Sequence, residues 1–148
     1  MENISQIILV SHNNEANNHI QNSIRECGIL VNIKIALNGG HAMLYLNHLN
    51  LCKKIGDGMV LVLLTMDTPV VDGFKFLTEY KGTRDLYKYK ENICIMVIND
   101  NLSEDKKNKA IDLGISNFLK YPFCPVQFKA IINNFKFYSA KGESRKAA

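Results

Sequence analysis

The chain has 148 residues, the length of one ordinary domain and too short for two. Apolar residues make up 47% and charged residues 22%, a globular balance that excludes a disordered chain. Eighteen Lys and Arg against 14 Asp and Glu leave a formal charge of +4, too mild an excess to argue for a nucleic-acid partner.

Short apolar runs alternate with segments of helical period. Met1 to Val10 has no basic stretch and no small-residue cleavage site, so no secretory signal is expected. Ile7 to Val10 reads as a strand buried on both faces. Asn13 and Asn14 are helix-cap candidates; Ile20, Ile24 and Cys27 follow at i, i+4, i+7 until Gly28 stops the helix. Val31 to Leu37 alternates as a second strand, Asn38-Gly39-Gly40 breaks it, and Ala42, Leu44, Tyr45, Leu46 and Leu49 make the next helix. Met59 to Leu64 is the most apolar run and is placed centrally in the sheet; it is far short of the ~20 residues that cross a bilayer. Thr65 to Pro69 is a loop, and Phe74, Phe76, Leu77 and Tyr80 lie on a short helix. Gly82 to Glu91 is polar and basic and reads as an exposed connection. Ile93 to Ile98 is the fourth strand, Leu102 to Leu113 a charged helix ended by Gly114, Asn117 to Lys120 the fifth strand, and Pro125 to Tyr138 the last helix. Residues 1–140 form one domain, and Lys141 to Ala148 a polar tail. Five strand–helix pairs in strict alternation imply an α/β, doubly wound parallel sheet with helices on both faces. Cys27, Cys52, Cys94 and Cys124 show neither CxxC nor zinc-ligand spacing, so free thiols in a cytoplasmic protein are expected.

In open α/β sheets ligands bind beyond the carboxyl ends of the strands. The residues there include Ser11-His12-Asn13, Thr65 to Pro69, Asn99-Asp100 and Lys120-Tyr121-Pro122. Pro69-Val70-Val71-Asp72-Gly73-Phe74-Lys75-Phe76-Leu77 resembles the M-P-x-x-D-G-x-x-x-L stretch of two-component response-regulator receiver domains. Ala110 to Gly114, then Phe118-Leu119-Lys120-Tyr121-Pro122-Phe123, resembles their A-x-x-x-G-A-x-x-[YF]-[LI]-x-K-P-F ending. The likeness spans about residues 5 to 138. It implies the CheY-like, flavodoxin-like three-layer sandwich, with five parallel strands in the order 2-1-3-4-5 and the most apolar run in the middle.

The resemblance also implies a chemistry: phosphoryl transfer from a histidine kinase to an aspartate ending the third strand, with Mg²⁺ held by an acidic pair after the first. Carried over residue by residue, that acidic pair falls on Ser11 and His12, the acceptor on Thr65, the switch Ser/Thr on Asn99, the switch aromatic on Phe118 and the lysine on Tyr121. Only the aromatic is kept. Mg²⁺ prefers oxygen ligands and one or two carboxylates, which Ser11, His12 and Thr65 do not supply. A threonine hydroxyl is a weak nucleophile without a base, and little remains to offset charge on a phosphoryl group in flight. The expectation is a pseudo-receiver: no enzyme, no cofactor, and a phosphorylation-independent interaction with a histidine kinase or other signalling protein. The likeness places that contact on the face of the fourth helix, fifth strand and fifth helix, and a homodimer is compatible with it. Lys106, Lys107, Lys109, Phe118, Lys120 and Lys129 would supply contacts, with Ile111, Leu113, Phe128, Ile131 and Ile132 as the packed underside. Tyr121 either fills the former pocket, donating its hydroxyl to Asn99 or Thr65, or faces solvent.

Two alternatives stand beside it. In one, Asp67 is a substitute acceptor, the chain is an ordinary phosphorelay regulator, and Mg²⁺ is its cofactor. In the other, the sheet holds a flavin or cobalamin. Against that, Ser11-His12-Asn13-Asn14-Glu15 has no glycine to let backbone approach a phosphate, and no D-x-H-x-x-G motif is present.

Overall fold

In the computed structural model the described residues are 4–52, 58–68, 70–99, 102–121 and 123–133. The expected tail, and the side chains of Cys52 and Asn99, lie outside them. Strands β1 (Ile4–Val10), β2 (Ile33–Ala36), β3 (Met59–Leu64), β4 (Ile93–Asn99) and β5 (Asn117–Lys120) form one sheet in the order β2-β1-β3-β4-β5. Every neighbouring pair is parallel, as the sequence predicts. Helices α1 (Asn14–Glu26), α2 (Gly39–Cys52), α3 (Gly73–Thr83) and α4 (Glu104–Asp112) make the crossovers, and residues 125–133 are helical (α5).

Alternation along the strands divides the core in two. Ile8, Val10, Val60, Val62 and Leu64 face α2 and α3, with Ala110 of α4 on the same side. Ile7, Leu9, Leu61, Leu63 and Ile98 face the other way, against Ile20 and Ile24 of α1 and Phe128 and Ile132 of α5. All six residues of β3 are buried, which only a strand covered on both faces can show. The helices start on side-chain caps. Asn13 accepts from the amide of Ala16 at 3.0 Å, Asp72 from that of Lys75 at 2.8 Å, and Ser103 from that of Lys106 at 3.3 Å.

Several expectations are corrected. β1 begins at Ile4, and β2 is shorter than expected, ending at Ala36 ahead of Asn38-Gly39-Gly40, whose glycines already belong to α2. Ile111 is 48% exposed and is not part of a packed underside, whereas Phe128 and Ile132 are fully buried. The stretch 82–91 is exposed at Gly82, Asp85, Leu86, Lys88 and Glu91, but not throughout. Its two 3-10 turns, Arg84–Leu86 and Lys90–Asn92, bury Tyr87 and Tyr89 between them. The Tyr87 hydroxyl donates to Asn47 Oδ1 at 2.7 Å, and that of Tyr89 donates to the Leu46 carbonyl. The rings of Phe76, Tyr80, Tyr87 and Tyr89 form a row with centroids 5.5–6.3 Å apart, tying this segment to α2 and α3. A tyrosine can be buried in polar surroundings because its ring packs while its hydroxyl finds a partner. Cys27 and Cys94 are buried free thiols, and Cys124 is an exposed one.

Candidate functional site

The carboxyl ends of β1, β3 and β5 carry Ser11, Thr65 and Tyr121, because the register sets Val10 beside Leu64 and Asn99 beside Lys120. Ser11 is buried. Its amide donates to the Ala36 carbonyl at 2.9 Å, and its hydroxyl accepts from the Asn13 amide at 3.2 Å. Asn17, also buried, donates to the Ser11 carbonyl at 3.5 Å, while its own Oδ1 has no partner among the described residues. His12, the next residue, is exposed, as alternation along an extended segment requires.

Thr65 is half-buried and turned back onto the sheet. Its hydroxyl donates to the Val10 carbonyl at 2.6 Å, and its amide donates to the same oxygen at 3.1 Å. The hydroxyl proton is thereby held by a backbone acceptor. Asp67 is exposed two residues later. Thr68 is buried and donates its hydroxyl to the Val71 carbonyl at 2.8 Å. Val70 stands at φ 66, an outlier for a β-branched residue, and is 88% exposed.

The D-G pair of the loop has a structural basis. Asp72 caps α3, and the Gly73 amide donates to the Met66 carbonyl at 3.2 Å. A Cβ on Gly73 would stand 2.8 Å from Met66 Cα and 2.5 Å from its sulfur, so only glycine lets α3 start this close to the end of β3. Gly73→Ala should therefore displace the loop 65–68 and cost about 1–3 kcal/mol in a urea titration. An unchanged unfolding midpoint would refute the close approach.

Tyr121 is half-buried and packs beside the Phe123–Phe128 side of the core. Phe118 is half-buried on the opposite face, with Lys107 Nζ 5.4 Å from its ring centre. Lys109 Nζ lies 4.8 Å from the ring centre of Phe74, which tethers α4 to α3. Lys106, Lys107, Lys109 and Lys120 are all exposed. Asn99 closes β4 through its backbone, its side chain lying outside the described residues.

The side chains gathered here do not fit Mg²⁺. Ser11 and Thr65 offer neutral hydroxyls already engaged with the backbone, and His12 offers a solvent-facing imidazole. Among the described residues no three His, Cys, Asp or Glu come together as a metal-binding group. A cavity of about 390 Å³ lies at the opposite end of the sheet, where Arg84, Cys94, Leu113 and Asn117 line the starts of β4 and β5. It does not belong to this site. Among the described residues no helix is long and apolar enough to cross a membrane.

This strand order is that of the flavodoxin-like fold, and the fold matches that of solved response-regulator receiver domains. Solved structures carry the likeness in detail. The bacteriophytochrome response regulator AtBRR is 23% identical at a TM-score of 0.68, over 90% of this chain and 93% of that one. The chemotaxis protein CheY4 of Vibrio cholerae is 19% identical at a TM-score of 0.65, over 89% of this chain and 98% of that one. The cyanobacterial phytochrome response regulator RcpA, solved in its phosphorylated form, is 20% identical at a TM-score of 0.64, over 93% of this chain and 94% of that one. No family model matches the chain, and no curated protein does.

Proposed function

We propose that this chain is a cytoplasmic, receiver-like interaction module of two-component signal transduction that works without being phosphorylated and catalyses no reaction of its own. The observation that carries the proposal is Thr65. It occupies the acceptor position implied by the resemblance and donates its hydroxyl to the Val10 carbonyl at 2.6 Å. Ser11 and His12, which supply no carboxylate where the resemblance puts an acidic pair, support the same reading, since a phosphoryl group arriving here would lack both a carboxylate-held cation and the lysine that Tyr121 replaces. With no ligand favouring one state over another, there is nothing to shift a population, so partner binding is constitutive.

The binding face is the one carrying Lys106, Lys107, Lys109 and Lys120, which suits an acidic surface on a histidine kinase or another signalling protein. Two measurements test this. Beryllofluoride with Mg²⁺, a phosphoryl mimic, should leave the amide resonances of Thr65 and Tyr121 unmoved; saturable shifts there would overturn the proposal. Binding to a histidine kinase recovered with this chain in a pull-down should fall about tenfold in Lys106→Glu/Lys107→Glu and stay unchanged in Thr65→Ala. Loss of binding in a folded Thr65→Ala would mean that the site still signals.

A further inference from the structure

The cavity of about 390 Å³ at the amino ends of β4 and β5 opens where α4 stops short. That helix has nine residues and buries only Ala110, and Gly114, at φ 99, then turns the chain into β5. The sheet face between α3 and this turn is left partly uncovered. Ile95 lies within β4, with a strand on either side, yet it is only half-buried, and so is Leu113. Ile93 and Ile95 form the floor, with Leu77 and Tyr80 of α3 on one side and Leu113 and Ile115 on the other. Two cations stand over this apolar surface. Lys81 and Arg84, three residues apart at the end of α3, line the cavity, and among the described residues no Asp or Glu does. Arg84 stands against the Tyr80 hydroxyl and opposes the rise that burial imposes on it, while Glu91 acts on the same hydroxyl less strongly. Two full positive charges outweigh the roughly half negative charge at the carboxyl end of a helix.

We infer that this cavity binds a small organic anion, a carboxylate carried on an apolar body. Its volume is that of a small-molecule site, and so is its make-up of apolar walls with a few convergent polar groups. The apolar body would lie on Ile95 and Leu113 and take their open surface out of water. The carboxylate would meet Arg84, whose planar fork can hold both oxygens, with Lys81 as a second charge beside it. A cationic ligand is repelled by both side chains, and an uncharged one gains nothing from either charge. The cavity stands at the end of the sheet opposite Ser11 and Thr65, so the inference does not rest on the function proposed above.

Titration of the isotope-labelled full chain with phenylbutyrate, followed by its amide resonances, tests the inference. The expected result is saturable movement of the amides of residues 93–95 and 113–117, with a Kd of roughly 1 mM for a ligand this small. Phenylbutyramide, which has the same shape without the charge, should bind about fivefold more weakly. Inorganic phosphate, which has the charge without the apolar body, should also bind more weakly than phenylbutyrate. Lys81→Gln/Arg84→Gln should bring phenylbutyrate down to the level of the amide; Lys81 is exposed and Arg84 half-buried, so the fold should tolerate both changes. Absence of saturable movement at about 10 mM phenylbutyrate overturns the inference. So does equal binding of phenylbutyramide or of phosphate in the unmodified chain, or unchanged phenylbutyrate binding in the folded double variant.

Discussion

Replacing Phe76 by alanine should lower the free energy of unfolding by about 3–5 kcal/mol, the range seen when a fully buried aromatic is removed from a core that relaxes only partly. Phe76 has no exposed surface and opens the aromatic row, with the Tyr80 ring 6.2 Å away. It also sits under α2 so closely that a Cβ on Gly39 would stand 2.8 Å from Phe76 Cβ. The void left by the substitution would therefore open where α2 and α3 meet, beside a row of tyrosines held by hydroxyl bonds to α2. A urea titration measures the loss. A change under about 1 kcal/mol would mean that the neighbouring rings collapse into the space.

Alkaline pH should destabilise the chain. Burial pushes the Cys94 thiol up from 9.0 to about 12. Burial also raises the hydroxyl groups of Tyr80, Tyr87 and Tyr89, against a partial opposing pull from Arg84 on Tyr80 and Thr83 on Tyr87. A group whose pKa is raised by folding contributes stability that is complete below its unfolded value and lost as pH climbs toward the folded one. For Cys94 that window runs from about pH 9 to about pH 12, and by pH 10.5 this thiol alone should remove on the order of 2 kcal/mol. Denaturation midpoints at pH 8 and pH 10.5 give the comparison. Cys94→Ala should reduce the difference, and Tyr89→Phe should reduce what remains. Equal midpoints in the unmodified chain would contradict the burial argument.

The sheet was legible because its strands are short, apolar and separated by segments of helical period. Six consecutive apolar residues, Met59 to Leu64, could only be central, and they are fully buried. The tyrosines at 87 and 89 were hidden by their neighbours: Lys88, Lys90 and Glu91 make the local composition polar, while burial depends on Asn47 and Leu46 forty residues earlier. Helix α2 misleads differently. A period of 3.6 picks out an inner face only when the outer one is polar, and Leu44 and Leu51 leave no such contrast. Motif spacing located Ser11 and Thr65 at the strand ends, which the register of β1 beside β3 places side by side. What the Thr65 hydroxyl does there could not be read, because its partner is a backbone carbonyl on another strand. The exposure of Ile111 escaped for a related reason: α4 is short and charged, and only Ala110 of it is buried.

The central claim, a receiver fold that works without phosphoryl chemistry, is tested most directly by intact mass spectrometry of the full chain after incubation with acetyl phosphate and Mg²⁺. The account predicts an unmodified mass, since the hydroxyl of Thr65 is bound to the Val10 carbonyl and no carboxylate stands at Ser11 or His12. A gain of one phosphoryl group would contradict it, and disappearance of that adduct in Asp67→Ala would place the acceptor on the neighbouring loop instead.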